Sequence, residues 1–96
     1  MINLRKEARG RECQIRIPGV CCGDPATVVL CHLPSFSMGA KSHDLFCAAH
    51  GCYTCHDVVD GRAHSDYPKE LLKLWFHEAV VRTQMILLDE GKIKIV

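Results

Sequence analysis

The longest regular pattern of apolar and polar positions lies near the end of the chain, over residues 67–90. Apolar or small side chains recur there at intervals of three and four residues, which is the period of one face of an α-helix. Pro68 suits the first turn of such a helix, and Gly91 suits its end. The pattern predicts a long C-terminal helix whose core-facing positions are Leu72, Trp75, Phe76, Ala79, Val80, Thr83, Ile86 and Leu87.

Shorter patterns fill the rest of the chain. A run of β-branched and apolar residues over 27–32 predicts the clearest strand. A segment rich in Ser, Gly and Pro over 34–42 predicts a loop. The remaining patterns predict short helices over 2–9 and 52–60, and short strands over 13–17, 44–49 and 92–96. Few strands beside one long helix indicate an α+β domain.

Length and composition narrow the class of protein. The chain has 96 residues, 48% of them hydrophobic and 24% charged, which fits one globular domain rather than a disordered tail. No apolar run approaches the ~18 residues of a membrane helix. The N-terminus has charges but no apolar segment of the secretory type, so we expect a cytoplasmic protein with reduced thiols.

Seven cysteines and six histidines in so short a chain point to metal. Cys52 and Cys55 form a C-x-x-C pair, whose two thiolates can converge on one Zn²⁺. Cys13 and Cys21 flank a Pro-Gly turn that can bring them together. We therefore predict a structural zinc site with these four cysteines as ligands, with Cys22 open as a replacement for its neighbour.

The remaining cysteines need no metal. Cys31 and Cys47 lie in apolar surroundings, and we predict that both are buried thiols.

The string Cys52-Tyr-Thr-Cys55-His56 also spells the attachment motif of a c-type haem. His56 would then be one axial ligand, with Met85 as a candidate for the other. This alternative requires export, of which the N-terminus gives no indication, and it leaves Cys13 and Cys21 without a role.

Two further pairs of residues suggest chemistry. His56 and Asp60 are four residues apart on the predicted 52–60 helix, so they could hold a divalent ion or form a helix salt bridge. His32 ends a strand at the mouth of a loop, where it could be a general base or a hydrogen-bonded edge residue. His43 and Asp44 could face the same cleft. The histidines at 50, 64 and 77 are expected to be surface or structural residues.

The net charge of +1 is unevenly distributed, since the first 20 residues carry a local balance of +3. Such a patch could bind phosphate, or it could be a solvated helix face. Its cations are Arg5, Lys6, Arg9, Arg11 and Arg16.

Over nearly the whole chain, the order and spacing of motifs resemble the YbcO-like family of phage and prophage nucleases. The matching strings are Asn3–Lys6, Ala8–Gln14, Arg16–Cys21, Val29–Leu33, Met38–Lys41, Asp44, Cys52–Arg62 and Arg82–Gln84. More distantly, His32 after a strand and C-x-x-C-H at a helix start resemble the HNH, or ββα-metal, endonucleases. In that pattern His32 matches the general base and His56 matches a metal ligand. Asp44 stands where Asn is usual, and Cys31 stands where an acid or histidine is frequent.

The resemblance implies a single small α+β domain over 1–96, of the ββα-metal (HNH-like) type and stapled by zinc. Its parts would be a basic N-terminus with the first zinc half-site over 1–22, a ββα core over 27–62 and the helix over 67–90. We expect a phage- or prophage-encoded protein acting on DNA in the cytoplasm of a bacterial host. Branched DNA and a homodimer both fit this expectation.

The expected activity is metal-dependent hydrolysis of DNA phosphodiester bonds. His32 would be the general base, and His56 with Asp60 or Asp44 would hold Mg²⁺, Mn²⁺ or Ni²⁺. The side chains expected to position the DNA backbone are Arg5, Lys6, Arg9, Arg11 and Arg62. The alternative is a zinc-stapled module that binds DNA or protein without catalysis.

Overall fold

The residues that the structure describes form a two-stranded sheet, two short helices and one long helix. The structure is a computed structural model that describes residues 3–32, 44–45 and 47–95. Its elements are α1 (Leu4–Glu7), a 3-10 turn (Pro25–Thr27), β1 (Val29–His32), β2 (Ala48–Gly51), α2 (Tyr53–Val59) and α3 (Lys69–Asp89). The predicted α+β class and the long C-terminal helix are confirmed.

The sheet is an antiparallel pair that leads directly into α2. His32 lies opposite Ala48, and Val29 lies opposite Gly51. Every residue of β2 is buried, because α3 packs on the strand. Both predicted strands are displaced: the first begins two residues late, after the 3-10 turn, and the second occupies Ala48–Gly51, while Asp44 lies in a turn before it.

The predicted apolar face of α3 is confirmed as the core. Thr83 also ties the helix to the sheet, since its Oγ1 accepts a 3.0 Å hydrogen bond from the His50 backbone N–H. At the other edge, the Tyr67 and Trp75 rings meet edge to face with centroids 4.9 Å apart. The fully covered positions of α3 are Phe76, Ala79, Val80, Thr83 and Leu87. Among the described residues, no helix is both long and apolar enough to cross a membrane.

The strand predicted over 13–17 is wrong. Arg16 has a φ of 54°, in the left-handed region, and this breaks the extended path that a strand requires. One ladder-like bond survives, from Gln14 N–H to the His50 carbonyl at 2.7 Å. Ile15 and Ile17 are nevertheless buried. The alternating pattern therefore predicts the buried side chains correctly, although the segment is not a strand.

The terminal strand predicted over 92–96 is also wrong for the described residues 92–95. The Lys92 and Ile93 N–H groups both donate to the Leu87 carbonyl, at 2.9 and 3.3 Å, so they close the end of α3. Gly91, with a φ of 73°, supplies the left-handed residue of this closure.

The other predicted boundaries shift less. The N-terminal helix is shorter than predicted and begins after Asn3, whose side chain caps it. Pro68 precedes α3 instead of lying in its first turn. The loop predicted over 34–42 and His43 lie outside the described residues.

Gly51, at the end of β2, has no room for a side chain. A Cβ there would lie 2.5 Å from Ile15 Cδ1 and 2.9 Å from Cys31 Sγ. We expect Gly51→Ala to lower the free energy of unfolding by about 1–3 kcal/mol, measured by urea denaturation. Adding Ile15→Val, which removes the nearer atom, should restore part of that loss. An unchanged unfolding midpoint in Gly51→Ala would contradict this close packing.

Candidate metal and catalytic site

Four cysteine sulfurs from distant parts of the chain lie within 4.8 Å of one another. Cys13 comes from the irregular segment over residues 13–17. Cys21 follows a turn in which its N–H donates to the Ile17 carbonyl at 2.9 Å. Cys52 and Cys55 come from the start of α2. Within the described ranges this is the one group of three or more metal-ligand side chains. The structure therefore brings together the four cysteines that the sequence predicts as ligands.

The spacing and burial of these sulfurs fit a zinc ion. Cys21 Sγ and Cys52 Sγ are 3.8 Å apart. A tetrahedral ion with Zn–S bonds of about 2.3 Å places its sulfurs about 3.8 Å apart. Cys13, Cys52 and Cys55 are buried, and Cys21 is half-buried. The donor set is thus that of a closed structural site, with no position left open for substrate.

The thiols in this group influence one another's ionisation. A hydrogen bond from the Cys55 thiol lowers the pKa of Cys13 to about 4. The same contact, together with burial, raises the pKa of Cys55. Burial raises the pKa of Cys21 to about 11. Four thiolates this close together would repel one another, and a bound divalent cation would supply the compensating charge.

Cys22 lies beside this group and outside it. Its sulfur is exposed and lies 3.6 Å from Thr27 Oγ1, while its N–H donates to Thr54 Oγ1 at 3.1 Å. The geometry therefore selects Cys21 from the two adjacent cysteines.

The two cysteines predicted as buried thiols are buried. The Cys31 sulfur donates to the Val29 and Gly51 carbonyls, and burial raises its pKa to about 12. Cys31 and Cys47 both serve as small core side chains.

The geometry also disfavours the haem alternative. Cys52 and Cys55 have no exposed surface, and their sulfurs face two other cysteines, so a porphyrin could not reach both without unpacking the core. Met85, the candidate second axial ligand, is 60% exposed on α3.

His32 and Asp44 form a close pair at the end of β1. Their Nε2 and Oδ1 atoms are 2.6 Å apart, and Arg5 Nη2 lies 3.4 Å from the same oxygen. The hydrogen bond with His32 is the largest cause of a lowered Asp44 pKa, and Arg5 adds to it. Because an ionised Asp44 can only accept, His32 must carry its proton on Nε2 in this contact. Nδ1 is then the nitrogen that can take a proton from water.

His56 and Asp60 form a second pair, at the end of α2. Their Nε2 and Oδ2 atoms are 3.0 Å apart. Two adjacent ligands of an octahedral ion with bonds of about 2.1 Å are also about 3.0 Å apart. Arg62 Nη2 contacts the same Oδ2 at 3.0 Å. In the described part of the chain, no group of three or more ligands combines this pair with His32 and Asp44.

Three of the five predicted DNA-binding cations already have acidic partners. Arg5 contacts Asp44, and Arg62 contacts Asp57 and Asp60. Arg11 Nη2 lies 2.5 Å from Glu90 Oε1, and hydrogen bonding to Glu90 is the largest cause of its raised pKa.

Lys6 and Arg9 are exposed and have no ion pair among the described residues. In the basic N-terminal patch, Arg5 and Arg11 contact acids, and Arg16 donates to the Cys13 carbonyl and to Gln14 Oε1. The patch therefore reduces to Lys6 and Arg9.

Two structural features were not predicted from the sequence: the contact of Arg5 with Asp44 and the complete burial of His50. Arg5 completes the His32–Asp44 pair from 39 residues away, which no local pattern could indicate. His50 is fully buried in β2, where burial lowers its pKa to about 4. It lies between Ala49 and Gly51 in a strand that α3 covers, and this packing, which the sequence does not indicate, accounts for the burial.

The comparisons with known proteins agree with these motifs. A family model described as "Putative nuclease YbcO" matches residues 2–92. The chain belongs to the YbcO family. The resemblance found in the sequence motifs is therefore confirmed, and the YbcO match spans the cysteine group and both histidine–aspartate pairs.

Individual YbcO relatives match along their whole length. The chain is 48% identical over 100 aligned positions to "Putative nuclease YbcO" of Escherichia coli (strain K12) and to "Putative nuclease ybcO" of Enterobacteria phage 82. Each match covers 98% of this chain and 99% of the relative.

A solved structure also has the YbcO-like fold described above. It is described as "Structure of a putative bacteriophage protein from Escherichia coli str. K-12 substr. MG1655", with 47% identity and a TM-score of 0.80. The match covers 93% of this chain and 100% of that one.

Proposed function

We propose that the protein is a metal-dependent DNA endonuclease, which hydrolyses phosphodiester bonds. The observation that carries this proposal is the 2.6 Å contact between His32 and Asp44 at the end of β1. A histidine oriented by a carboxylate is the arrangement that general-base catalysis uses. The order β1–β2–α2, with His56 on the helix, supports an HNH-like site.

His32 has the role of the base. With Nε2 bonded to Asp44, its Nδ1 takes a proton from the water that attacks phosphorus. Such general-base help is typically worth ~10²–10⁴-fold in rate. Arg5 favours the ionised form of Asp44, and this form holds the imidazole in the tautomer that the reaction needs.

His56 and Asp60 have the role of ion ligands. Their 3.0 Å separation suits two adjacent ligands of one divalent cation. When bound, this ion would stabilise negative charge on the phosphoryl and leaving oxygens. Asp44 is engaged with His32, so Asp60 is the better carboxylate for the ion.

The cysteine group has a structural role in this proposal. Zinc on Cys13, Cys21, Cys52 and Cys55 would fasten the irregular N-terminal segment to the start of α2. Because His56 follows Cys55 directly, the zinc would also fix the helix that carries the catalytic ion ligands.

Incubation with DNA tests the proposed activity. Supercoiled and branched DNA, with Mg²⁺, Mn²⁺ or Ni²⁺ in separate reactions, are expected to be nicked or cut by the wild-type protein in at least one of them. A reaction without added divalent ion is the control, read by gel electrophoresis. Retained DNA binding without cleavage under any metal would overturn the nuclease proposal and favour a non-catalytic binding module.

A further inference from the structure

A cleft of about 410 Å³ lies between the end of α2 and the start of α3. Asp60 forms part of its wall, and the same carboxylate contacts His56 at 3.0 Å. The cleft therefore opens beside the side chains proposed to hold the catalytic ion.

Two lysines on α3 give the cleft a positive wall. Lys69 and Lys73 both line it and are four residues apart, so they lie on the same side of the helix. Both are exposed, and among the described residues neither forms an ion pair. Lys69 is the first residue of α3, where the helix dipole disfavours a positive charge. The one carboxylate that lines the cleft, Asp60, contacts His56 and Arg62 instead of these lysines, so both ammonium groups can meet an anion from outside the chain.

The other side of the cleft is apolar. Val59, Ala63 and Leu72 contribute carbon surface to it. Apolar walls beside two ammonium groups fit a nucleotide, whose base and sugar can lie against carbon while its phosphate meets the cations. The volume is near the lower end of ligand pockets, which span roughly 300–1,000 Å³. It suits one nucleotide, and a base can enter only when it is unpaired and unstacked.

We propose that this cleft binds one unpaired nucleotide of a DNA strand, with its phosphates on Lys69 and Lys73. That this nucleotide lies next to the phosphate to be cut rests on the proposed nuclease function. The substrate class is then DNA with a single-stranded segment at the cleavage point.

Fluorescence anisotropy with a short labelled single strand, without added divalent ion, tests binding separately from cleavage. Lys69→Gln/Lys73→Gln is expected to bind about tenfold more weakly, with a salt slope shallower by about 1.4 on the log–log scale. Lys92→Gln/Lys94→Gln removes the same charge about 30 Å away, beyond the far end of α3, and should change the affinity less than about twofold.

A second variant tests the cavity without changing charge. Ala63→Trp would fill the cleft, and we expect it to weaken binding of the single strand while leaving binding of the matched duplex unchanged. Equal losses in the two lysine variants, or undiminished single-strand binding by Ala63→Trp, would overturn the proposal.

Two outcomes separate the cleft proposal from the nuclease proposal. If the wild type binds the strand as expected and cuts no DNA with any metal, the proposed nuclease function fails and the binding site stands. If the wild type cuts DNA, and both cleft variants bind and cut DNA as well as the wild type does, the cleft proposal fails and the nuclease stands.

Discussion

Replacing Cys52 with alanine is expected to release the metal and unfold the domain. Cys52 is fully buried and belongs to the four-sulfur group. A structural zinc supplies an apparent free energy of ~10–16 kcal/mol, while domains of this size are typically stable by only ~5–15 kcal/mol. The free energy lost when one missing ligand releases the zinc can therefore exceed the whole free energy of unfolding. Metal analysis should give about one zinc per wild-type chain, and circular dichroism should show loss of helix in the variant.

The adjacent cysteines provide a matched control for that experiment. Cys21→Ser is expected to lose zinc and melt at a lower temperature, because the Cys21 sulfur lies in the group. Cys22→Ser should keep its zinc and the wild-type melting temperature, because the Cys22 sulfur contacts Thr27 instead. The reverse result, or a folded Cys52→Ala that retains stoichiometric zinc, would show that the ligand set is wrong.

The long helix and the cysteine group were predictable because each has a local cause. The three- and four-residue spacing of the α3 core face comes from helix geometry alone. The Pro18–Gly19 turn and the C-x-x-C spacing each bring two sulfurs together locally, and only their meeting depends on the tertiary fold. Choosing Cys21 over Cys22 required coordinates, since neighbouring residues differ only in the direction of their side chains.

The strand predicted over 13–17 shows where such reasoning fails. Alternating apolar residues indicate which side chains are buried, but a strand also needs a partner for its backbone groups. Arg16 adopts a left-handed conformation, which cannot be predicted from its residue type. The N–H groups of Lys92 and Ile93 donate to the Leu87 carbonyl at the end of α3, so they are not available to pair with a neighbouring strand.

Some contacts of the candidate site follow from local spacing, and others depend on the tertiary fold. His56 and Asp60 were predictable as a pair because helical spacing places them together. His32 and Asp44 could be named as candidates, but they are 12 residues apart, and no local spacing predicts their 2.6 Å contact. Outside the site, Arg11 and Glu90 are 79 residues apart, and their ion pair depends on a fold that brings the segment after α1 to the end of α3.

Replacing His32 with alanine is expected to lower the rate of DNA cleavage by ~10²–10⁴-fold, because the proposed general base is lost. The variant should keep its zinc and its fold, since the half-exposed His32 side chain lies outside the cysteine group. Cleavage is measured under single-turnover conditions, so that the chemical step is separated from product release.

Asp44→Asn and His77→Ala define how specific that loss is. Asp44 acts through His32, so its amide variant should lose less activity, about 10–100-fold, because the imidazole is held less well. The amide can donate as well as accept, so it also permits the wrong tautomer of His32, and the pH profile of cleavage should change. His77 is exposed on α3, and its Nδ1 lies 2.7 Å from the Lys73 carbonyl of the same helix; its variant should cut at the wild-type rate. Wild-type cleavage by His32→Ala would remove this residue from the mechanism, while a wild-type pH profile in a slowed Asp44→Asn would reduce Asp44 to a purely structural role.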